Sequence, residues 1–126
     1  MSSEKNLIFL VSDDPVLPEE FRYGFPQDID VLITSDARAA LSQMREQIPD
    51  VAVVEIRTGS AGGFGLARDM SQLLALRNVP ILMLVEREQD RWLAETAGAR
   101  KVLVQPVDAG EIVSRALALL PAPAST

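Results

Sequence analysis

Any catalytic chemistry in this sequence must rest on carboxylates, Lys, Arg, Tyr or hydroxyls. Its 126 residues include no Cys and no His. That removes disulfides, thiolate and imidazole metal sites, and Ser-His or Cys-His catalysis. Three acids sit in informative surroundings. Asp13 and Asp14 follow the apolar run "LIFLVS", and Glu55 ends the run "VAVV" just before the loop "GSAGGFG". Oxygen donors of this kind suit a hard cation such as Mg²⁺. Phosphoryl chemistry also needs a cation and a hydroxyl to hold the transferring oxygens. The glycine loop lacks the Lys-Ser/Thr of a phosphate-binding loop, and no G-x-G-x-x-G is present. It reads as a turn-rich connection rather than a nucleotide cradle.

The elements that position these acids follow from the pattern of apolar residues. Five continuous apolar runs, Leu7–Val11, Asp30–Thr34, Val51–Ile56, Ile81–Val85 and Val102–Val104, predict strands covered on both faces. Helical spacing appears between them. Ala37, Ala40, Leu41, Met44 and Ile48 form one stripe behind Ser35 or Asp36 as N-cap, and Leu66, Met70, Leu73 and Leu74 form a second. A third stripe, Asp90, Leu93, Ala94 and Ala97, leaves Trp92 off its inward face. The last, Ile112, Val113, Ala116, Leu117 and Leu120, follows the capping box "DAGE" and leaves Leu119 off the stripe. Pro18 opens a first helix that Gly24 and Pro26 close early.

Strands alternating with helices predict a doubly wound α/β fold, a five-stranded parallel sheet with helices on both faces and right-handed crossovers. Such folds place their sites outside the carboxyl ends of the strands. There lie Ser12, Asp13 and Asp14, then Glu55, then Val85 and Glu86, then Gln105 and Pro106. The acids of the first and third strands therefore converge on one edge. One domain over residues 1–120 is expected, with 121–126, "PAPAST", as a tail. No apolar run has the length of a membrane span, and the absence of Cys suits a reducing cytoplasm. The net charge of −6 disfavours nucleic acid as a direct partner.

With these pieces in order, the chain resembles the receiver domains of bacterial two-component response regulators, from about Leu7 to Leu120. The resemblance is carried by "LIFLVSDDP", "PDVAVVEI", Gly63 eight residues beyond Glu55, "VPILMLV" and "AGARKVLVQP". It implies a flavodoxin-like (βα)5 fold with strand order 2-1-3-4-5. It also implies phosphoryl transfer from a histidine kinase to an Asp ending the third strand, with Mg²⁺ bound. Carried over by position, the family's acidic pair falls on Ser12 and Asp13 and its phosphoacceptor on Glu55. Its Thr/Ser falls on Val85, the small residue after it on Glu86, its Lys on Gln105, and its aromatic switch residue on Val102. Asp13 and Pro106 alone keep the pattern, so a degenerate receiver is expected.

The replacements remove the hydroxyl and the cation that a phosphoryl group would need. Glu55 is one methylene longer than Asp, which displaces a nucleophile from in-line geometry. Glu55 then either mimics a phosphorylated state or is a drifted remnant, and the loss of the residues that would read a mimic favours the remnant. Mg²⁺ on Asp13 and Glu55 is expected to bind weakly or not at all. No other cofactor is implied, and no enzymatic activity. Function is expected to lie in binding another signalling protein, a kinase, regulator or output protein. Trp92 is the candidate contact, and a homodimer through the fourth helix, fifth strand and fifth helix is the self-association the family suggests. A working receiver phosphorylated on a non-standard acid, and a small-ligand module of flavodoxin-like shape, remain the alternatives.

Overall fold

The computed structural model describes residues 6–56 and 62–121. The first glycine of the "GSAGGFG" loop and the tail beyond Pro121 lie outside them. Five strands, β1 (Asn6–Val11), β2 (Ile29–Thr34), β3 (Val51–Glu55), β4 (Ile81–Val85) and β5 (Lys101–Val104), form one parallel sheet in the order β2-β1-β3-β4-β5. The helices are α1 (Leu17–Tyr23), α2 (Ala37–Glu46), α3 (Gly62–Gln72), α4 (Arg91–Ala97) and α5 (Ala109–Ala118). No helix among the described residues is long and apolar enough to cross a membrane.

Strand side chains alternate between two apolar layers, as the two-residue period of a strand requires. Phe9, Val11, Ala52, Val54, Met83 and Val85 pack with Ala40, Met44, Leu66, Met70 and Ala94 of α2, α3 and α4. Ile8, Leu10, Val51, Val53, Leu82 and Leu84 pack with Leu17, Phe21, Ile112, Val113 and Ala116 of α1 and α5. Burial on both faces explains why the runs read as continuous rather than alternating.

Local signals set the helix ends. The Asp36 carboxylate accepts from the Arg38 N–H at 2.9 Å, so Asp36 rather than Ser35 caps α2. Asp108 caps α5 by accepting from the Glu111 N–H at 2.9 Å. Gly98 closes α4 at φ 117°, a left-handed conformation that glycine adopts without a Cβ penalty.

The structure corrects several edges of the sequence reading. Ile48 and Leu74 are exposed at 52% and 76%. Both stripes were extended past the real helix ends at Glu46 and Gln72, and Leu76 is the residue that fills the core beyond α3. The fourth helical stretch breaks into a 3-10 turn, Glu88–Asp90, ahead of α4. That break rotates Leu93 out to 46% exposure and leaves Ala94 and Ala97 as the buried pair. Leu119, expected to stand off the stripe, is half-buried against the α1–α5 layer, because the chain turns after Ala118.

Candidate functional site

The strand period and register together bring three side chains to one place. Ser12 extends the series Ile8, Leu10; Glu55 extends Val51, Val53; Gln105 extends Leu103. All three thus fall on the α1–α5 face at the carboxyl end of the sheet. Val11 pairs with Val54, which sets Ser12 beside Glu55 one step further on. Strand β4 separates Glu55 from β5. Reaching from β3 to β5 means crossing two strand spacings, about 9–10 Å, which only two long side chains cover.

They do meet. The Ser12 hydroxyl donates to Glu55 Oε1 in a short hydrogen bond, and the Gln105 Nε2 amide donates to Glu55 Oε2 at 3.0 Å. Ser12 Oγ in turn accepts from the Asp14 N–H at 3.1 Å. Glu55 and Ser12 are 7% and 4% exposed, and among the described residues no buried side-chain polar atom is left without a partner. A buried carboxylate needs donors on its oxygens, and here uncharged groups supply them. Position 105 also closes the end of β5 through its backbone, as the Gln105 N–H donates to the Val85 carbonyl at 2.8 Å. The Gln105–Pro106 bond is cis.

The other predicted site residues divide. Asp14 faces the start of α1, where its Oδ1 accepts from the N–H groups of Val16 and Leu17 at 2.8 and 3.1 Å. That makes it a helix-start residue as well as a neighbour of Ser12. Asp13 and Glu86 are exposed at the same edge. Val85 and Val102 are buried in the α2–α4 layer, where a methyl is the right filling and a hydroxyl or phenol would find apolar neighbours. Trp92 stands 68% exposed beside the exposed Leu93, so it covers little of the neighbouring apolar surface.

The entry to α4 is pinned by charge. Arg91 pairs with Glu88 at 2.7 Å and donates from Nη1 to the Val102 carbonyl at 3.3 Å, tying α4 to β5. Arg87 pairs with Asp90 at 3.2 Å. The hydrogen bond and charge of Arg91 hold the Glu88 carboxyl below its ordinary value, and the same pair raises Arg91. Sequence reasoning missed this bond, and missed that Ser12 and Gln105 serve Glu55. It read both as losses. The available signal was side-chain length: an acid lengthened at position 55 and an amide at 105 have the combined reach to meet over β4.

Comparison with known proteins agrees with this architecture. Residues 8–117 match the family model described as the response regulator receiver domain. The chain is 30% identical over 121 residues to the transcriptional regulatory protein CreB of Escherichia coli K12, covering 93% of this chain and 52% of that protein. The chain spans about half the length of the first curated relatives it matches. Among solved structures it is similar to a putative response regulator from Chloroflexus aurantiacus, with a TM-score of 0.82, 22% identity, and 92% and 98% of the two chains covered. It is likewise similar to the chemotaxis protein CheY4 of Vibrio cholerae, with a TM-score of 0.81, 20% identity, and 93% and 100% covered. With its five-stranded 2-1-3-4-5 sheet and a family match running from β1 into α5, the chain belongs to the response regulator receiver domains of two-component signalling.

Proposed function

We propose that this receiver does not take a phosphoryl group at Glu55 and signals by binding another protein in the state its pocket already holds. The observation that supports the reading is the two-sided hydrogen bonding of Glu55 by Ser12 and Gln105. A nucleophile must offer a lone pair along the line of attack. Here one hydrogen bond to each carboxylate oxygen fixes the orientation of the group and draws on its electron density, and no Lys or hydroxyl stands at positions 105 and 85 to hold transferring oxygens. Neutral donors on Glu55 also argue against an idle remnant, since they match its length and its charge. Ser12, Glu55 and Gln105 thus work as a closed unit, with Asp13 and Glu86 at its rim and Pro106 after it.

Receiver domains hold Mg²⁺ in this pocket, and the residues present fit the ion poorly. Ser12 stands where a second carboxylate would, and both Glu55 oxygens are engaged. Among the described residues no group of three acids is arranged to hold a metal. Mg²⁺ titration by calorimetry is therefore expected to give at most millimolar affinity, and micromolar affinity would count against the closed pocket.

The contact surface is proposed to be the α4 side of the molecule, where Trp92 and Leu93 are adjacent and exposed. Buried aromatic anchors carry most of the energy at protein interfaces. Trp92→Ala is expected to weaken binding of the cognate signalling protein at least tenfold, measured by calorimetry, while the thermal midpoint stays within a degree or so because the side chain is exposed. Equal binding by Trp92→Ala and the parent would move the interface elsewhere. Self-association through α4, β5 and α5 would show as a concentration-dependent mass in light scattering.

A further inference from the structure

The sheet ends in β2 on one side and β5 on the other, and an edge strand offers unpaired N–H and C=O groups to any strand that approaches. Of the two, β2 is the longer at six residues, and β5 has four. In β2, Ile29, Val31, Ile33 and Thr34 are β-branched and Asp30 is the only charge. Such a composition favours strand pairing. Space beside it is open: a cleft of about 410 Å³ is lined by Arg22, Phe25, Ile29, Asp30, Val31 and Leu32.

The hydrogen bonds show which backbone groups face outward. Val11 pairs with Thr34, and the Ser12 N–H donates to the Thr34 carbonyl at 3.0 Å. Successive residues of a strand turn their N–H and C=O groups to opposite sides, so Asp30, Leu32 and Thr34 serve β1. Ile29, Val31 and Ile33 then face the open side. At the other edge, Val85 pairs with Val104 and the Gln105 N–H donates to the Val85 carbonyl at 2.8 Å. Gln105 and Leu103 therefore serve β4, and Val102 and Val104 face outward.

An arginine sits on an outward carbonyl at each edge. Arg22, the basic residue in the last turn of α1, donates from Nη1 to the Val31 carbonyl at 3.3 Å. Arg91, the first residue of α4, donates from Nη1 to the Val102 carbonyl at 3.3 Å. Its Nε and Nη2 are held by Glu88 at 2.7 and 3.4 Å, which aims the third donor at the strand.

We infer that Arg22 and Arg91 guard the two open edges of the sheet against pairing with a second copy of this chain. An incoming strand must bring an N–H to each outward carbonyl, and here it must first displace a charged donor. Two copies pairing β2 to β2 about a two-fold axis would also bring their Arg22 side chains to one seam, like charge to like. The device concerns the strand edges and is independent of the Glu55 pocket.

The test is sedimentation equilibrium, with every protein carrying Trp92→Ala so that association through the exposed α4 surface does not enter. Arg22→Met keeps an apolar stem and removes the donors. Its association constant is expected to rise about tenfold over that of the parent, the worth of one displaced hydrogen bond. Hydrogen exchange at the outward N–H groups of Val31 and Ile33 is expected to slow as it associates. Arg22→Lys, which keeps a charge and a donor, is expected to stay near the parent. Arg91→Met should act likewise through the N–H groups of Val102 and Val104, whereas Glu88→Gln leaves the Arg91 donor on its carbonyl and should not. The inference is overturned if Arg22→Met remains as monomeric as the parent, even with lower stability in urea, because the arginine is then an ordinary structural contact. It is overturned equally if the associated form protects other amides, or if Arg22→Lys associates as strongly as Arg22→Met. Should Arg91→Met fail to fold, Arg22→Met decides alone.

Discussion

Phosphorylation returns to the pocket when four residues are changed together, and not when Glu55→Asp is made alone. That is the expected result of treating the receiver with acetyl phosphate and Mg²⁺ and reading intact mass. Glu55→Asp restores the usual length of the nucleophile but leaves no cation at 105 and no hydroxyl at 85. Each preorganised donor to a transition state contributes about 3–4 kcal/mol, so losing both costs several orders of magnitude in rate. Adding Gln105→Lys and Ser12→Asp supplies the charge and the second metal carboxylate, and Val85→Thr returns a hydroxyl to the end of β4, where it must turn from the α2–α4 layer toward the pocket to serve. The strand ends that carry them are already in register. Val85→Thr places a hydroxyl in a buried apolar layer, so the combined variant is expected to be somewhat less stable. The four positions act as a unit, and their effects are expected to be strongly non-additive. A phosphoprotein formed by Glu55→Asp alone, as fast as by the fourfold variant, would contradict the account of the missing cation and hydroxyl.

The second large effect is on stability. Gln105→Leu leaves Glu55 Oε2 without its 3.0 Å donor in a site only 7% exposed. An orphaned buried acceptor costs about 1–3 kcal/mol, enough to lower the thermal midpoint by several degrees in a domain of this size. Replacing both partners by apolar groups of similar shape is much less costly than orphaning one. The penalty of Gln105→Leu is therefore expected to fall by at least half in a Glu55→Met background, and urea unfolding of the four proteins of this cycle reads the coupling. If Gln105→Leu costs the same with and without Glu55, the hydrogen bond is not what holds the pocket closed.

What the sequence discloses, and what it hides, divides along physical lines. The central strands β1, β3 and β4 were legible because each is buried on both faces, so a run such as "ILMLV" has no polar face to disguise it. The edge strands β2 and β5 are only partly buried and still read as apolar runs. The caps were legible because Asp36 and Asp108 act within their own helix starts. Helix ends were less so: Ile48 and Leu74 continue an apolar spacing that the chain has already abandoned, and nothing local records that Leu76 replaces Leu74 in the core. The pocket was half legible. Position by position, Ser12, Glu55 and Gln105 read as three separate departures from the family pattern. That they answer one another depends on a contact across β4 between residues fifty positions apart, which no local pattern carries. The tie from Arg91 to the Val102 carbonyl was hidden for the same reason.

The central claim, that Glu55 is held closed by neutral donors and does not receive a phosphoryl group, is tested most directly on the unaltered protein. Intact mass is measured after incubation with acetyl phosphate and Mg²⁺, beside a receiver known to accept the group under the same conditions. The account predicts no change in mass for this chain while the control gains one phosphoryl group. A stoichiometric gain of one phosphoryl group, mapped to Glu55 or to Asp13 beside it, would contradict it.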